Sequence, residues 1–92
     1  MLEAKVEDYL YDKCRANDIL CYKFSSPSNN GMPDRVLIGY GQVVFVELKA
    51  PHKEPRILQR IVHDKMLSHG ANVVVIDSRL EVDRLLASMM KG

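Results

Sequence analysis

Gln42-Val43-Val44-Phe45-Val46-Glu47-Leu48-Lys49 is the stretch on which the reading of this chain turns. Val43 to Val46 are apolar whichever way the pleat points them, the pattern of a central strand buried on both faces. Glu47 and Lys49 then close the strand. They lie two residues apart, so both side chains point to the same face of the sheet. A Glu-x-Lys pair at a strand end is by itself an ordinary ion pair worth ~0–1 kcal/mol, so its context decides its meaning.

Just upstream, Arg35 to Ile38 reads as another strand, and Gly39-Tyr40-Gly41 as the turn that joins the two into an antiparallel hairpin. That turn brings residues near 34 opposite residues 46 and 47. Asp34 opens the upstream strand directly after Pro33, so Asp34, Glu47 and Lys49 are expected to converge. Two carboxylates about 4 Å apart repel by about 4 kcal/mol at an effective dielectric of 20. A hard divalent cation, Mg²⁺ or Mn²⁺, removes that cost and takes oxygen ligands while keeping several waters. Such an ion polarises a phosphoryl oxygen and lowers the pKa of water, and Lys49 is placed to stabilise the charge that develops.

Outward from the hairpin, Glu3 to Arg15 has helical spacing, with Leu2, Val6, Tyr9, Leu10, Lys13 and Cys14 on one side. Ile19 to Phe24 reads as a first strand. Ser25 to Pro33, rich in Ser, Asn and Pro, is a loop, either a connector or a flexible cover over a substrate. Ala50 to Pro55 is a second loop. Pro55 suits the first turn of a helix that runs to about His69, with Ile57, Leu58, Ile61, Val62, Lys65 and Met66 along one side and Gly70 just past its end. Asn72 to Asp77 encloses a buried fourth strand, Val73 to Ile76. Ser78-Arg79-Leu80-Glu81 is a capping box that starts a last helix carrying Leu80, Val82, Leu85, Leu86 and Met89. The order α-β-β-β-α-β-α, with a helical crossover after the third strand, implies an α/β fold with a mixed sheet flanked by helices.

With 92 residues, 47% of them hydrophobic and 27% charged, the chain is sized for one domain over residues 1–92, with no room for a separate substrate domain. A chain this small often completes its surface with a second copy. No apolar run approaches the ~20 residues of a membrane helix, and the N-terminus lacks the apolar stretch of a secretory signal. An intracellular, cytoplasmic protein of cellular or viral origin is expected. The two cysteines, Cys14 and Cys21, are expected reduced and buried, and they and the three histidines lack zinc-ligand spacing. A net charge of +1 argues against a passive nucleic-acid clamp, but is compatible with an active site that adds positive charge through a metal.

Gly31-Met32-Pro33-Asp34-Arg35, followed by Val44-Phe45-Val46-Glu47-Leu48-Lys49-Ala50-Pro51, resembles the PD-(D/E)xK nuclease superfamily. More narrowly, Gly-x-Pro-Asp-Arg with Val-Glu-Leu-Lys-Ala-Pro and the downstream Gln59 is similar to the VRR-NUC family, over nearly the whole chain. Gln59-Arg60-Ile61-Val62 matches the Val-Arg-Arg-like element of the family name only loosely. The resemblance implies a restriction-endonuclease-like fold and Mg²⁺- or Mn²⁺-dependent hydrolysis of DNA to 5′-phosphate products. It also implies a homodimer acting on branched DNA such as Holliday junctions. By the same resemblance Asp34 and Glu47 are metal ligands, the backbone carbonyl of Leu48 completes the metal shell, Lys49 is the catalytic lysine, and Gln59 lies near the water or scissile phosphate. The first helix is expected to add one acid, Glu3 or Glu7. Lys53, Arg56, Arg60 and Arg35 are expected to contact DNA phosphates, with Lys49, His52 and Lys23 nearby.

The remaining signals point to structure. His63 is expected to be structural, His69 suits a helix C-terminus, and Met89-Met90 suits terminal packing or a subunit contact. The four tyrosines are too scattered for a base-stacking platform. The alternative to a nuclease is a non-catalytic module that binds DNA structures, against which the complete Asp, Glu and Lys set argues.

Overall fold

The computed structural model describes residues 3–26 and 30–92. The expected Leu2 contact and part of the loop before Gly31 lie outside them. The elements are α1 (Glu3–Ala16), β1 (Leu20–Lys23), β2 (Arg35–Gly39), β3 (Gln42–Leu48), α2 (Ile57–Ser68), β4 (Asn72–Ile76) and α3 (Arg79–Lys91). Their order is the one the sequence predicts. The four strands form one mixed sheet in spatial order β1-β2-β3-β4. The first two pairings are antiparallel, and β4 returns parallel to β3 by way of α2.

Each turn has a local cause. Tyr40 and Gly41 both take positive φ, 53° and 75°, the two-residue hairpin whose twist suits antiparallel strands. The α2 helix ends in a Schellman turn: Gly70, at φ 95°, donates to the Leu67 carbonyl, and Ala71 donates to that of Met66. Ser78 caps α3 by accepting from the Glu81 amide. Pro55 sits one residue before Arg56, the α2 N-cap, and so outside the first turn where the sequence places it.

The core lies on one face of the sheet. Val6, Leu10 and Cys14 of α1 and Val82, Leu86 and Met89 of α3 bury against Leu37, Val44, Val46, Leu48 and Ile76. Tyr9 of α1 donates to Asp83 of α3 at 2.7 Å, tying the two helices. Both cysteines are free and buried. No described helix is long and apolar enough to cross a membrane.

The opposite face differs from expectation. β3 is central, but Val43 is 48% exposed, because among the described helices α2 alone lies over this face and it reaches only the end of the strand. The α2 helix is turned away from its apolar stripe as well. It buries Gln59, Val62 and His63 and leaves Ile57, Leu58 and Ile61 in solvent. The reason lies beneath it, where the sheet presents a carboxylate, Glu47.

The approach of α2 to the loop before β2 is close. A Cβ added at Gly31 would lie 2.4 Å from a Val62 methyl and 2.9 Å from the Leu58 carbonyl oxygen. Gly31→Ala is therefore expected to destabilise the fold by about 1–3 kcal/mol. Urea unfolding measures this, and an unchanged midpoint would contradict the contact.

Candidate active site

The hairpin register sets the site. Arg35 pairs with Val46, so Asp34, one residue earlier, stands level with Glu47 on the other face of the sheet. Asp34 also takes over the ladder there. Its carbonyl accepts from the Phe24 amide at 2.8 Å and its Oδ2 from the Leu48 amide at 2.9 Å. Glu47 is 2% exposed. Its Oε2 accepts from Gln59 Nε2 at 2.8 Å and lies 3.4 Å from Lys49 Nζ. The amide of Gln59 is held from both ends, since its Oε1 accepts from the backbone N–H of Arg56 at 2.9 Å. One side chain thus helps cap α2 and grips the buried carboxylate.

Asp34, Glu47, Lys49 and Gln59 are therefore brought together, as the sequence predicts. The remaining oxygen of Glu47, Oε1, is buried with no hydrogen-bond partner, and 4.0 Å from it lies Nε2 of His63, equally buried and unpartnered. Sequence reasoning assigned His63 to structure. The available signal was its spacing, four residues beyond Gln59 and hence on the same helix face.

One expectation needs correction. Arg35, expected to contact DNA phosphates, is 9% exposed. The pleat that puts Asp34 on the α2 side sends Arg35 toward α1, where its Nε donates to Glu7 Oε2 at 2.8 Å and its Nη1 to the Cys21 carbonyl at 3.4 Å. Glu7 is thereby committed to Arg35. Glu3 and Glu7 do line a cleft of about 290 Å³ together with Asp34, Lys23, Phe24 and Ser25. Among the described residues no three acidic, His or Cys side chains converge as a metal-holding group. Lys53 and Arg56 are exposed beyond the active strand, and Arg60 is exposed but paired with Glu54.

Burial, and then repulsion from Asp34, push the Glu47 carboxyl up to about 7, against the opposing pull of Lys49 and Gln59. Burial pushes the His63 imidazole down, toward its neutral form. The Glu47 shift makes stability depend on pH. Below pH 4.5 the carboxyl is protonated in both states. Between 4.5 and about 7 it ionises in the unfolded chain but not in the folded one, so metal-free stability falls as pH rises through that window. The loss amounts to about 3 kcal/mol. Glu47→Gln should remove it, becoming more stable relative to the native chain as pH rises from 5 to about 8. Paired denaturation curves in EDTA measure the difference, and a pH-independent gap between the two proteins would contradict the burial argument.

No family model matches the chain. Over 78 residues it is 37% identical to "Putative nuclease p44" of Acyrthosiphon pisum secondary endosymbiont phage 1, a match that covers 84% of each protein. A solved structure titled "VRR_NUC domain" superposes with a TM-score of 0.84 at 31% identity, over 92% of this chain and 94% of that one. A shared fold at that identity, together with a nuclease relative aligned over most of both chains, places this chain in the VRR-NUC nuclease family.

Proposed function

We propose that the chain is a divalent-metal-dependent endodeoxyribonuclease that hydrolyses the phosphodiester backbone, with branched DNA such as a Holliday junction as its preferred substrate. The observation that carries the reading is the buried Glu47 carboxylate with one oxygen unsatisfied, level with Asp34 and 3.4 Å from Lys49. A fold concerned only with stability gains nothing from such a group, whereas a cation site needs it.

The donors fit Mg²⁺ or Mn²⁺, which bind through one or two carboxylates and keep waters. Asp34, Glu47 and the Leu48 carbonyl would hold the ion, and Glu7 or Glu3 would reach it from the adjoining cleft. When bound, it would supply Lewis-acid charge to the phosphoryl oxygens and lower the pKa of water. Gln59 fixes Glu47. Lys49 orients the attacking water and donates to the phosphoryl oxygen on which charge builds. Attack in line forms the new P–O bond, breaks the bond to the 3′ oxygen and leaves a 5′-phosphate. Lys53, Arg56 and Arg60 would hold the flanking phosphates. The phage source of the similar protein fits a virus-encoded enzyme acting inside a cell.

The uncovered sheet face supports a homodimer. Leu20, Ile38 and Val43 form one cross-strand row and are 48%, 38% and 48% exposed. Tyr22 heads the next row and is 54% exposed, and the row beyond it holds Phe24, Asp34 and Glu47. A second copy seated there would bury this apolar surface and set two catalytic rows beside one two-fold axis, the symmetry of a four-way junction. Sedimentation should find a dimer that Val43→Lys weakens. Monomer alone at micromolar concentration would remove this part of the reading.

The deciding experiment is cleavage of labelled junction, flap, nicked and linear DNA with Mg²⁺, Mn²⁺ or EDTA. Cutting should require metal, and Lys49→Ala should lower it by about 10²-fold or more. A wild type that binds junctions but cuts nothing would identify a binding module.

A further inference from the structure

The two unsatisfied atoms between α2 and β3 carry an inference of their own. Glu47 Oε1 and His63 Nε2 lie 4.0 Å apart in residues 2% and 5% exposed. Each buried polar atom without a partner costs about 1–3 kcal/mol. The helix could avoid that cost, because it holds apolar residues in reserve: Ile57, Leu58 and Ile61 stand in solvent while Gln59 and His63 face inward. Gln59 and His63 are one turn apart and address the two oxygens of one carboxylate, Gln59 at Oε2 and His63 at Oε1. Gln59 already donates. An ionised carboxylate only accepts, so His63 can complete the bracket only with its proton on Nε2.

We propose that His63 is a positioning residue for Glu47: its Nε2–H engages Oε1 of the ionised carboxylate when the site is loaded with metal, closing a remaining gap of about 1 Å. The proposal rests on the metal-dependent reading of the site. With Gln59 on one oxygen and His63 on the other, the carboxyl group cannot rotate, and the lone pairs left to the metal have a fixed direction. Outer-shell partners of this kind change metal affinity by about 10–100-fold. A histidine that merely fills space would change it little.

The test is Mn²⁺ binding without DNA, read from the electron paramagnetic resonance of the free ion, with the melting temperature of each metal-free protein as a folding check. His63→Leu should weaken Mn²⁺ binding about 10–100-fold while the metal-free protein melts no lower than wild type, since one unsatisfied atom has been removed. His63→Gln, whose amide nitrogen reaches about as far as Nε2, should restore binding to within about threefold. If His63→Leu does not fold, His63→Met carries the same comparison with a more adaptable side chain. Unchanged Mn²⁺ affinity in the Leu or Met variant overturns the positioning role and leaves the metal site standing. Equal weakening in the Gln variant also overturns it, and assigns His63 to packing. A wild type that takes up no Mn²⁺ overturns the metal reading itself, and the role of His63 with it.

Discussion

Keeping one carboxylate out of water at the end of the central strand is the constraint around which this small fold is arranged. Glu47 lies where β3 is covered on both faces, by the α1–α3 core behind it and by α2 in front. Burial, and then repulsion from Asp34, push its carboxyl up to about 7, and its surroundings offset only part of that burial. Lys49 supplies charge and Gln59 a hydrogen bond, and the second oxygen is left unsatisfied. The orientation of α2 follows. A helix placed to serve that carboxylate turns its polar residues inward and its isoleucines outward, the reverse of what its own sequence pattern requests. Natural folds break a local rule of this kind at sites that act.

That conflict also sets what could be read from the sequence. Elements governed by local chemistry were legible: the Tyr40-Gly41 hairpin, the Gly70 stop of α2, the Ser78 cap and the Val6-Leu10-Cys14 stripe all act within a few residues of their own positions. The hairpin register was legible too, and with it the meeting of Asp34, Glu47 and Lys49. What could not be read depended on contacts distant in sequence. The inward face of α2 is decided by a residue on β3. The burial of Arg35 is decided by an acid 28 positions away on α1. Its neighbour Asp34 carries the chemical signal, but the pleat sends the two side chains to opposite faces, so proximity in sequence misleads.

Asp34 also shows that structure and chemistry are not separable here. Its carbonyl extends the β1–β2 pairing through Phe24, and its carboxylate stands in for a ladder acceptor to Leu48. Removing it would leave the Leu48 amide unpaired in the core, at a cost of about 1–3 kcal/mol, so loss of activity in such a variant would mix loss of fold with loss of function. Lys49 is the cleaner probe. Among the described residues its side chain pairs with Glu47, and its backbone amide is separately satisfied by Ile76.

The charges around the site give the pairing of Glu7 with Arg35 a further meaning. With Glu47 ionised, Asp34, Glu47 and Glu7 are three negative charges near the end of β3, set against Lys49 and Arg35. The local balance is one negative charge, which would repel a phosphodiester from the groups meant to act on it. On the proposed metal-dependent reading, a single divalent ion would turn that balance to one positive charge, equal and opposite to the phosphodiester. Without Arg35 on the α1 side the same ion would leave the site neutral, and the attraction that draws the backbone toward Lys49 would be lost. On that reading an arginine hidden from DNA would contribute to DNA binding through the charge it cancels.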